Sequence, residues 1–425
     1  MATGAGKTLT ALYLACKVAE KNRPLSIVVV CPYINLVKQW EREMMRFGIR
    51  AVCCYGTQRS WAGELRDGYA RLQFGSTSVQ GIITTNATFL SPSFRESLDE
   101  TIGHHLVIAD EAHNLGSEKV KEVLPEFIQL RLGLSATPER HYDEQGTQAI
   151  FDYFGPVVYE FSLAQAIDAG VLAPYFYHPV LVDLTEEEAE EYIELSNRIA
   201  KAVMFAESKA DHDEKVMPLL IRRSRLLASA TEKLPALQRI VEEMKGRVEK
   251  AIVYCGDGRV EDPIDEQQRR QIESATRLLG KEVGLHVRRF TYEEDAEERE
   301  GILEQIQKGG LDAVVAIRCL DEGIDLPDVR LGFLLASTSN PRQFIQRRGR
   351  LLRRAPGKDH AVIYDFIVQP PDFGGDWSDA AFNTERRLFQ RELSRILDFC
   401  KTAKNGPTAL QALQGLRQKY NLIAQ

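Results

Sequence analysis

Residues 1–31 read MATGAGKTLTALYLACKVAEKNRPLSIVVVC, and three local patterns follow one another in this stretch. A glycine-rich turn comes first, a run with helical spacing of apolar residues follows, and a β-branched run closes the stretch at Ser26–Cys31. Similar strand-like runs recur at Gly81–Thr84, Leu106–Ala109 and Arg131–Ser135. Strands that alternate with helices form βαβ units, which build parallel sheets covered by helices on both faces. The pattern therefore predicts an α/β fold.

A second set of strand-like runs follows a helical interval, at Ala251–Tyr254, Ala313–Ile317, Leu331–Ala336 and Ala361–Val368. The interval contains TEEEAEEYIELSNRIAKAVMFAE, which opens with a capping-box pattern and continues with apolar residues at helical spacing. The sequence thus predicts two tandem parallel-sheet domains with a helical insertion between them and a helical C-terminal tail. We place the four parts at residues 1–175, 176–232, 233–370 and 371–425.

The composition is that of a globular chain of 425 residues, with 44% hydrophobic and 27% charged residues. The formal net charge of −7 means that any contact with a polyanion must come from a local basic surface. The seven cysteines form no CxxC pair, so we expect them to be reduced and structural. No apolar stretch reaches the roughly 18 residues that a membrane span needs. These features lead us to expect a cytoplasmic protein that makes no membrane contact.

The glycine-rich turn matches most of the phosphate-binding pattern GxxxxGK[ST]. In that pattern backbone N–H groups at a helix N-terminus surround phosphates, the lysine reaches the outer oxygens and the hydroxyl holds Mg²⁺. The residues that fit the nucleotide-binding part are Gly4, Ala5, Gly6, Lys7 and Thr8. The first glycine of the pattern would fall at Met1, and no strand precedes the loop. A glycine turn before a helix is the simpler alternative for this segment alone.

Two adjacent carboxylates, Asp110 and Glu111, follow the strand-like run LVIA. The carboxyl end of a parallel strand is where such sheets bind nucleotides. One carboxylate there can hold Mg²⁺ and the next can orient or deprotonate an attacking water. Taken alone, two acids after a strand are more often an ordinary exit from the strand.

An arginine cluster, QRRGRLLRR, occupies residues 346–354 near the end of the second domain. Guanidinium groups are permanently charged and suit phosphate oxygens. Arg350 and Arg353 lie three residues apart, so they share one face of a helix. A nucleic-acid patch or a solvated helix face would explain the cluster equally well without the rest of the chain.

In order, the segments ATGAGKT, DEAH at Asp110–His113 and SAT at Ser135–Thr137 resemble motifs I, II and III of superfamily 2 helicases of the DEAD/DEAH-box type. AIRCLDEGIDLP at Ala316–Pro327 is similar to motif V, and QRRGRLLR at Gln346–Arg353 is similar to motif VI. The likeness covers about residues 1–368. The sequence around DEAH looks closer to that of DNA repair and restriction motors than to that of DEAD-box RNA enzymes.

The resemblance implies two RecA-like domains with ATP in the cleft between them, and a role for each matching residue. ATP and Mg²⁺ are the cofactors it implies, with Thr8 and Asp110 on the metal, Glu111 activating water, and Arg350 and Arg353 as arginine fingers. Gln346 would contact the nucleotide site, and Gly323 and Asp325 would lie near the ribose and phosphates. The resemblance also implies that the nucleotide site is coupled to the nucleic-acid track by His113, Ser135 and Thr137. It implies that nucleic acid is contacted by Pro32, Thr84 and Thr85. We expect Trp40 to serve packing.

The function implied is an ATP-dependent helicase or translocase acting on nucleic acid, DNA rather than RNA. The alternatives are an RNA helicase, a translocase on duplex DNA that does not separate strands, and an inactive fragment that binds DNA. The last arises because the missing first strand suggests a chain truncated at its N-terminus. Nuclease, methylase or repair subunits are conceivable partners for a restriction-like relative. The residues themselves demand none of them.

Overall fold

In the computed structural model of the chain, placement is described for residues 1–99, 103–116, 124–138, 143–205, 212–244, 246–256, 266–291, 293–317, 328–336, 341–371 and 379–422. The chain divides into two compact units, residues 1–166 and 167–425. Gly323 and Asp325 lie outside the described residues.

The first unit is built on a five-stranded parallel sheet with the strand order β2-β3-β1-β4-β5. Its strands are β1 (Leu25–Cys31), β2 (Ala51–Cys54), β3 (Val79–Thr85), β4 (His104–Ala109) and β5 (Leu130–Gly133). The central strand β1 is buried along its whole length, as its β-branched sequence predicts. Its register with β4 pairs Val30 with Ala109, so both strands end at the same edge of the sheet. That edge carries the candidate site.

Helices link these strands and pack on the sheet. Their bounds are α1 (Lys7–Lys21), α2 (Ile34–Arg46), α3 (Gln58–Gln73), α4 (Asn86–Phe89), α5 (Pro92–Asp99) and α6 (Glu144–Phe154), and the short α7 (Leu163–Asp168) spans the division between the units. Helices α1 and α2 share a buried apolar cluster with β1, through residues that include Leu12, Trp40 and Val29.

The second unit is built on a six-stranded parallel sheet with the order β6-β11-β10-β7-β9-β8. The strands are β6 (Tyr175–Val182), β7 (Ala251–Tyr254), β8 (Val287–Phe290), β9 (Ala313–Ala316), β10 (Leu331–Leu334) and β11 (Ala361–Val368). The prediction of two α/β domains with parallel sheets is confirmed. Strand β6 departs from our boundaries, because residues 176–182 were expected in the helical insertion. Pro179 interrupts its pattern, and the strand tolerates it because β6 is at an edge of the sheet.

Helices of the second unit fall into three groups along the chain. The insertion contributes α8 (Glu186–Phe205) and α9 (Met217–Ala228). The sheet is flanked by α10 (Lys233–Glu243), α11 (Glu266–Arg277), α12 (Ala296–Gln307) and α13 (Pro341–Leu351). The tail contributes α14 (Asp379–Thr402), α15 (Gly406–Gln411) and α16 (Gln414–Lys419). No helix in the described ranges is long and apolar enough to cross a membrane. The six cysteines placed in those ranges form no disulfide.

Candidate functional site

The glycine-rich turn presents the start of α1 without a side-chain cap. Gly4 and Gly6 have φ angles of 79° and 86°, in the left-handed region that glycine adopts at little cost. Helix α1 then begins at Lys7, and no side chain caps its first N–H groups. Ala5, between the two glycines, is buried. A helix N-terminus with uncapped N–H groups is suited to bind an anion such as phosphate.

Lys7 and Glu111 form an ion pair across 104 residues of sequence. Lys7 Nζ lies 3.3 Å from Glu111 Oε1, and the two side chains are only 10% and 14% exposed. The first turn of α1 and the end of β4 therefore converge, as motifs I and II predict. Thr8, the next residue of α1, is half-buried.

Asp110 lies directly after β4 and is held by two hydrogen bonds. The Trp40 indole Nε1–H donates to Oδ2 at 2.8 Å, and the Glu111 backbone N–H donates to Oδ1 at 3.0 Å. Burial raises the pKa of Asp110, and the charge of Glu111 raises it further, while Lys7 and the Trp40 bond act in the opposite direction. The ionised form of Asp110 is thus favoured only by a few specific neighbours, against the effect of burial.

Trp40 is the residue of this site that sequence reasoning assigned only to packing. It is fully buried in α2, as expected of a packing residue, yet its only polar atom is directed at Asp110. The two residues are 70 positions apart. The PYINLVKQW segment carries no local pattern that would have indicated the contact.

Thr8 and Asp110 are suitable ligands for Mg²⁺, since both supply hard oxygen atoms. No cluster of three or more acidic, histidine or cysteine side chains that could cage a metal occurs in the described part of the chain. A small number of protein oxygens is typical of Mg²⁺ sites that are completed by water and substrate phosphates.

Glu111 itself has a left-handed backbone, with φ 45° and ψ 52°. A non-glycine residue pays roughly 1–2 kcal/mol for this conformation. The turn points the carboxylate toward Lys7, and its neighbour Ala112 donates its N–H to the carbonyl of Leu134 at 2.9 Å. Strain of this kind is typical of functional sites.

The three residues expected to couple the nucleotide site to the nucleic-acid track form a connected chain of polar contacts. His113 is 1% exposed, and its Nδ1 lies 3.5 Å from Glu111 Oε2 and 3.2 Å from the hydroxyl of Ser135. The Ser135 hydroxyl in turn accepts the backbone N–H of Thr137 at 3.1 Å. Contacts therefore lead from Glu111 to the loop after β5.

The expected nucleic-acid contacts fall at the ends of two strands. Thr84 is fully buried and its hydroxyl donates to the carbonyl of Cys54 at 2.9 Å, so its side chain stabilises the sheet. Thr85 is half-buried, and its hydroxyl oxygen accepts the N–H of Thr88 at the start of α4. Pro32 is half-buried directly after β1. Pro32, Thr84 and Thr85 stay predictions as nucleic-acid contacts.

In the second unit, α13 carries the arginine cluster. Gln346 faces the interior and is 4% exposed. Arg347 stacks on Tyr254 at 5.0 Å and donates to the carbonyl of Ala336, which gives it a structural role. Arg350 and Arg353 are half-buried, Arg353 just beyond the end of the helix. The roles of these two residues as arginine fingers stay predictions.

Two family profiles match this chain in the order of its two units. The profile described as "Type III restriction enzyme, res subunit" matches residues 1–140, and the one described as "Helicase conserved C-terminal domain" matches residues 232–355. The chain belongs to helicase superfamily 2. Its members are nucleic-acid-dependent ATPases, and this chain is an enzyme of that class.

Relatives of known name agree with this assignment. A protein of Sulfurisphaera tokodaii named "DNA 3'-5' translocase XPB2" is 29% identical over 386 residues, which is 86% of this chain and 76% of the relative. "DNA 3'-5' helicase XPB" of Mycobacterium tuberculosis is 23% identical, over 92% of this chain and 59% of its own length. The chain thus spans about three-fifths of that mycobacterial relative.

Among solved structures, the helicase domain of Pyrococcus furiosus Hef superposes with a TM-score of 0.55 at 16% identity. The match covers 92% of this chain and 93% of that one. At this identity the likeness establishes the fold alone, namely a pair of RecA-like domains.

Proposed function

We propose that this superfamily 2 enzyme hydrolyses ATP to translocate on DNA. The observation that carries the proposal is the convergence of Lys7, Asp110 and Glu111 at one edge of the first sheet, with His113 and Ser135 leading away from them. The names of the matched relatives favour DNA over RNA as the track.

Each side chain has a defined task in this proposal. The glycine turn and Lys7 bind the phosphates of ATP, because both offer positive charge and N–H donors. Glu111 orients the attacking water and takes up its proton. Mg²⁺, held by Thr8 and Asp110, would neutralise charge on the phosphate oxygens. Arg350 and Arg353 stabilise the charge that spreads over the transferring phosphoryl group.

The test is ATP hydrolysis by the purified chain with no polymer, single-stranded DNA, duplex DNA or RNA. We expect stimulation by DNA, and we expect Lys7→Ala to abolish it. Lys17→Ala is the matched control, because Lys17 is on the same helix, is 51% exposed and pairs with the exposed Glu20. Turnover that is equal with every polymer, or a Lys7→Ala enzyme that keeps its stimulation, would refute the proposal.

Strand separation is a separate question, and two displacement assays decide it. Release of a third strand from a triplex reports movement along a duplex, whereas release of a labelled complementary strand reports unwinding. Triplex release without strand release would identify a duplex translocase. Stimulation by RNA rather than DNA would identify the RNA helicase instead.

A further inference from the structure

The polar contacts that hold the long tail helix α14 (Asp379–Thr402) in the second unit include three ion pairs along its length. The likeness to the superfamily motifs ends before this helix, so none of the site residues above lies on it. Its contacts involve Glu385 near the start, Arg395 beyond the middle and Asp398 near the end. Glu385 and Asp398 are separated by 13 residues, or about 20 Å of helix at 1.5 Å per residue.

The first contact ties α14 to the helical insertion. Glu385 is 1% exposed and accepts hydrogen bonds from Arg223 on α9 and from Tyr192 and Ser196 on α8. The Arg223 guanidinium also lies 4.8 Å from the ring of Tyr192. One carboxylate of the tail therefore holds both helices of the insertion.

The second contact ties α14 to the sheet. Arg395, 2% exposed, pairs with Asp365 of β11, which is fully buried and also accepts the hydroxyl of Tyr177 on β6. A buried ion pair adds little net stability, because both charges lose their hydration. It does define one arrangement of its partners, since any shift leaves a buried charge unpaired.

The third contact ties α14 to α13, the helix of the arginine cluster. Arg348 donates from Nη2 to the Asp398 carboxylate at 2.6 Å and from Nη1 to the Asp398 carbonyl at 2.9 Å. Its guanidinium lies 4.8 Å from the ring of Phe399, and that ring also contacts Phe344 of α13. The side chain of Arg348 is 5% exposed, whereas that of Asp398 is 42% exposed.

Arg347 and Arg348 thus anchor α13 in two directions, the first toward the sheet and the second toward α14. Arg350 is only two residues beyond Arg348, and Arg353 lies just past the end of the helix. The end of the helix is held as well, since buried Lys358 donates to the carbonyls of Leu351 and Arg353 at 2.7 and 2.8 Å. The position of α13 along its axis depends on these anchors.

We propose that α14 is part of the ATPase machinery and that Asp398, through Arg348, is a positioning residue for Arg350 and Arg353. This inference rests on the proposed function. A guanidinium stabilises a transferring phosphoryl group only from a defined position, and a misplacement of about 1 Å can cost roughly 10²-fold in rate. Release of Arg348 lets α13 shift against the sheet while the rest of the unit stays folded.

The experiment measures steady-state DNA-stimulated ATP hydrolysis by the full chain carrying Asp398→Ala. We expect kcat to fall about tenfold, within the range that a sub-ångström to 1 Å displacement allows, while KM for ATP changes less than twofold. Arg348→Lys should give the same fall in kcat with little change in KM. A lysine keeps the charge but cannot reach both acceptors as the planar guanidinium of arginine does. Asp398→Glu retains the carboxylate and should restore most of the rate.

A second readout separates positioning from general damage to the fold. Binding of ADP with aluminium fluoride, which mimics the transition state, should weaken in Asp398→Ala, while binding of ADP alone stays unchanged. Glu304→Gln is the control, because it removes the charge of Glu304 on α12 from an exposed ion pair with Lys308, the residue after that helix. It should match the unmodified chain in both measurements.

Three outcomes are distinct. An unmodified chain without DNA-stimulated turnover refutes the proposed function itself. An active chain whose Asp398→Ala form keeps its kcat and its affinity for ADP with aluminium fluoride refutes the positioning role alone. A variant whose kcat, KM and melting temperature all change, with no restoration by Asp398→Glu, also refutes it, because the effect would then be loss of folded protein.

Discussion

Removal of the indole N–H that contacts Asp110 gives a sharp test of the site. Trp40→Phe keeps an aromatic ring in the core of α2 but deletes the 2.8 Å hydrogen bond from Nε1 to Oδ2. A hydrogen bond to a charged group contributes about 1.5–3 kcal/mol, and one to a neutral group about 0.5–1.5 kcal/mol. The difference, about 1–1.5 kcal/mol, corresponds to about one pKa unit. We therefore expect the variant to raise the pKa of Asp110 by about one unit.

The direction of the pH dependence follows from the state of the carboxyl group. Burial already raises the pKa of Asp110 above its unfolded value, so its ionisation disfavours folding as pH rises through the folded pKa. The Trp40 bond reduces that penalty in the ionised form. Its contribution is therefore largest above the pKa of Asp110 and shrinks as pH falls through it.

The assay is urea unfolding followed by circular dichroism across a pH series from 5 to 8, with the pH profile of ATP hydrolysis measured beside it. Trp61→Phe is a matched control, because Trp61 is 3% exposed and its Nε1 has no hydrogen-bond partner among the described residues. Trp40→Phe should lose more stability than Trp61→Phe, and the difference between the two variants should grow as pH rises through the pKa of Asp110. The acid limb of its ATPase profile should move up by about one pH unit. Equal pH dependence in the two variants would refute the reasoning.

Two further predictions concern the proposed arginine finger Arg350 and the glycine turn before α1. Arg350→Ala should lower kcat for ATP by about 10³-fold or more with little change in nucleotide binding, measured against Arg354→Ala, whose side chain is exposed just beyond the helix. A rate within tenfold of the unmodified chain would exclude an arginine finger at this position. Gly6→Ala should destabilise the first unit by about 1–2 kcal/mol in urea unfolding, because φ is 86° and a Cβ meets no atom within 4 Å, so that backbone strain is the whole cost. No loss of stability would show that the turn relaxes.

Local patterns were sufficient for most of the fold. Runs such as SIVVVC and LVIA are short, β-branched and apolar, and such runs are stable chiefly as buried strands of a parallel sheet. Strand β6 was missed because Pro179 and His178 interrupt its run. What specifies β6 is its full pairing with β11, a partner about 180 residues away, which local periodicity cannot reveal.

The candidate site was predictable where the chemistry requires a fixed spacing. Lys7 and Glu111 were expected together from motif order, and the structure places them 3.3 Å apart. The support around them could not be predicted. The hydrogen bond from Trp40 to Asp110 and the burial of Thr84 depend on how α2 and three strands pack, and many apolar sequences satisfy the same packing.

The ion pair between Lys7 and Glu111 transfers the entropic cost of ordering the lysine side chain from ligand binding to folding. A lysine in solvent would have to give up about 1.5–2 kcal/mol of rotamer entropy when a phosphate orders it. Here Glu111 has already ordered the ammonium group, so that loss falls on folding. In the proposed mechanism, nucleotide binding is then an exchange of counter-ions at Lys7, in which a phosphate oxygen displaces the Glu111 carboxylate. The same exchange would release Glu111, so the group proposed to act on water becomes available only as the substrate arrives.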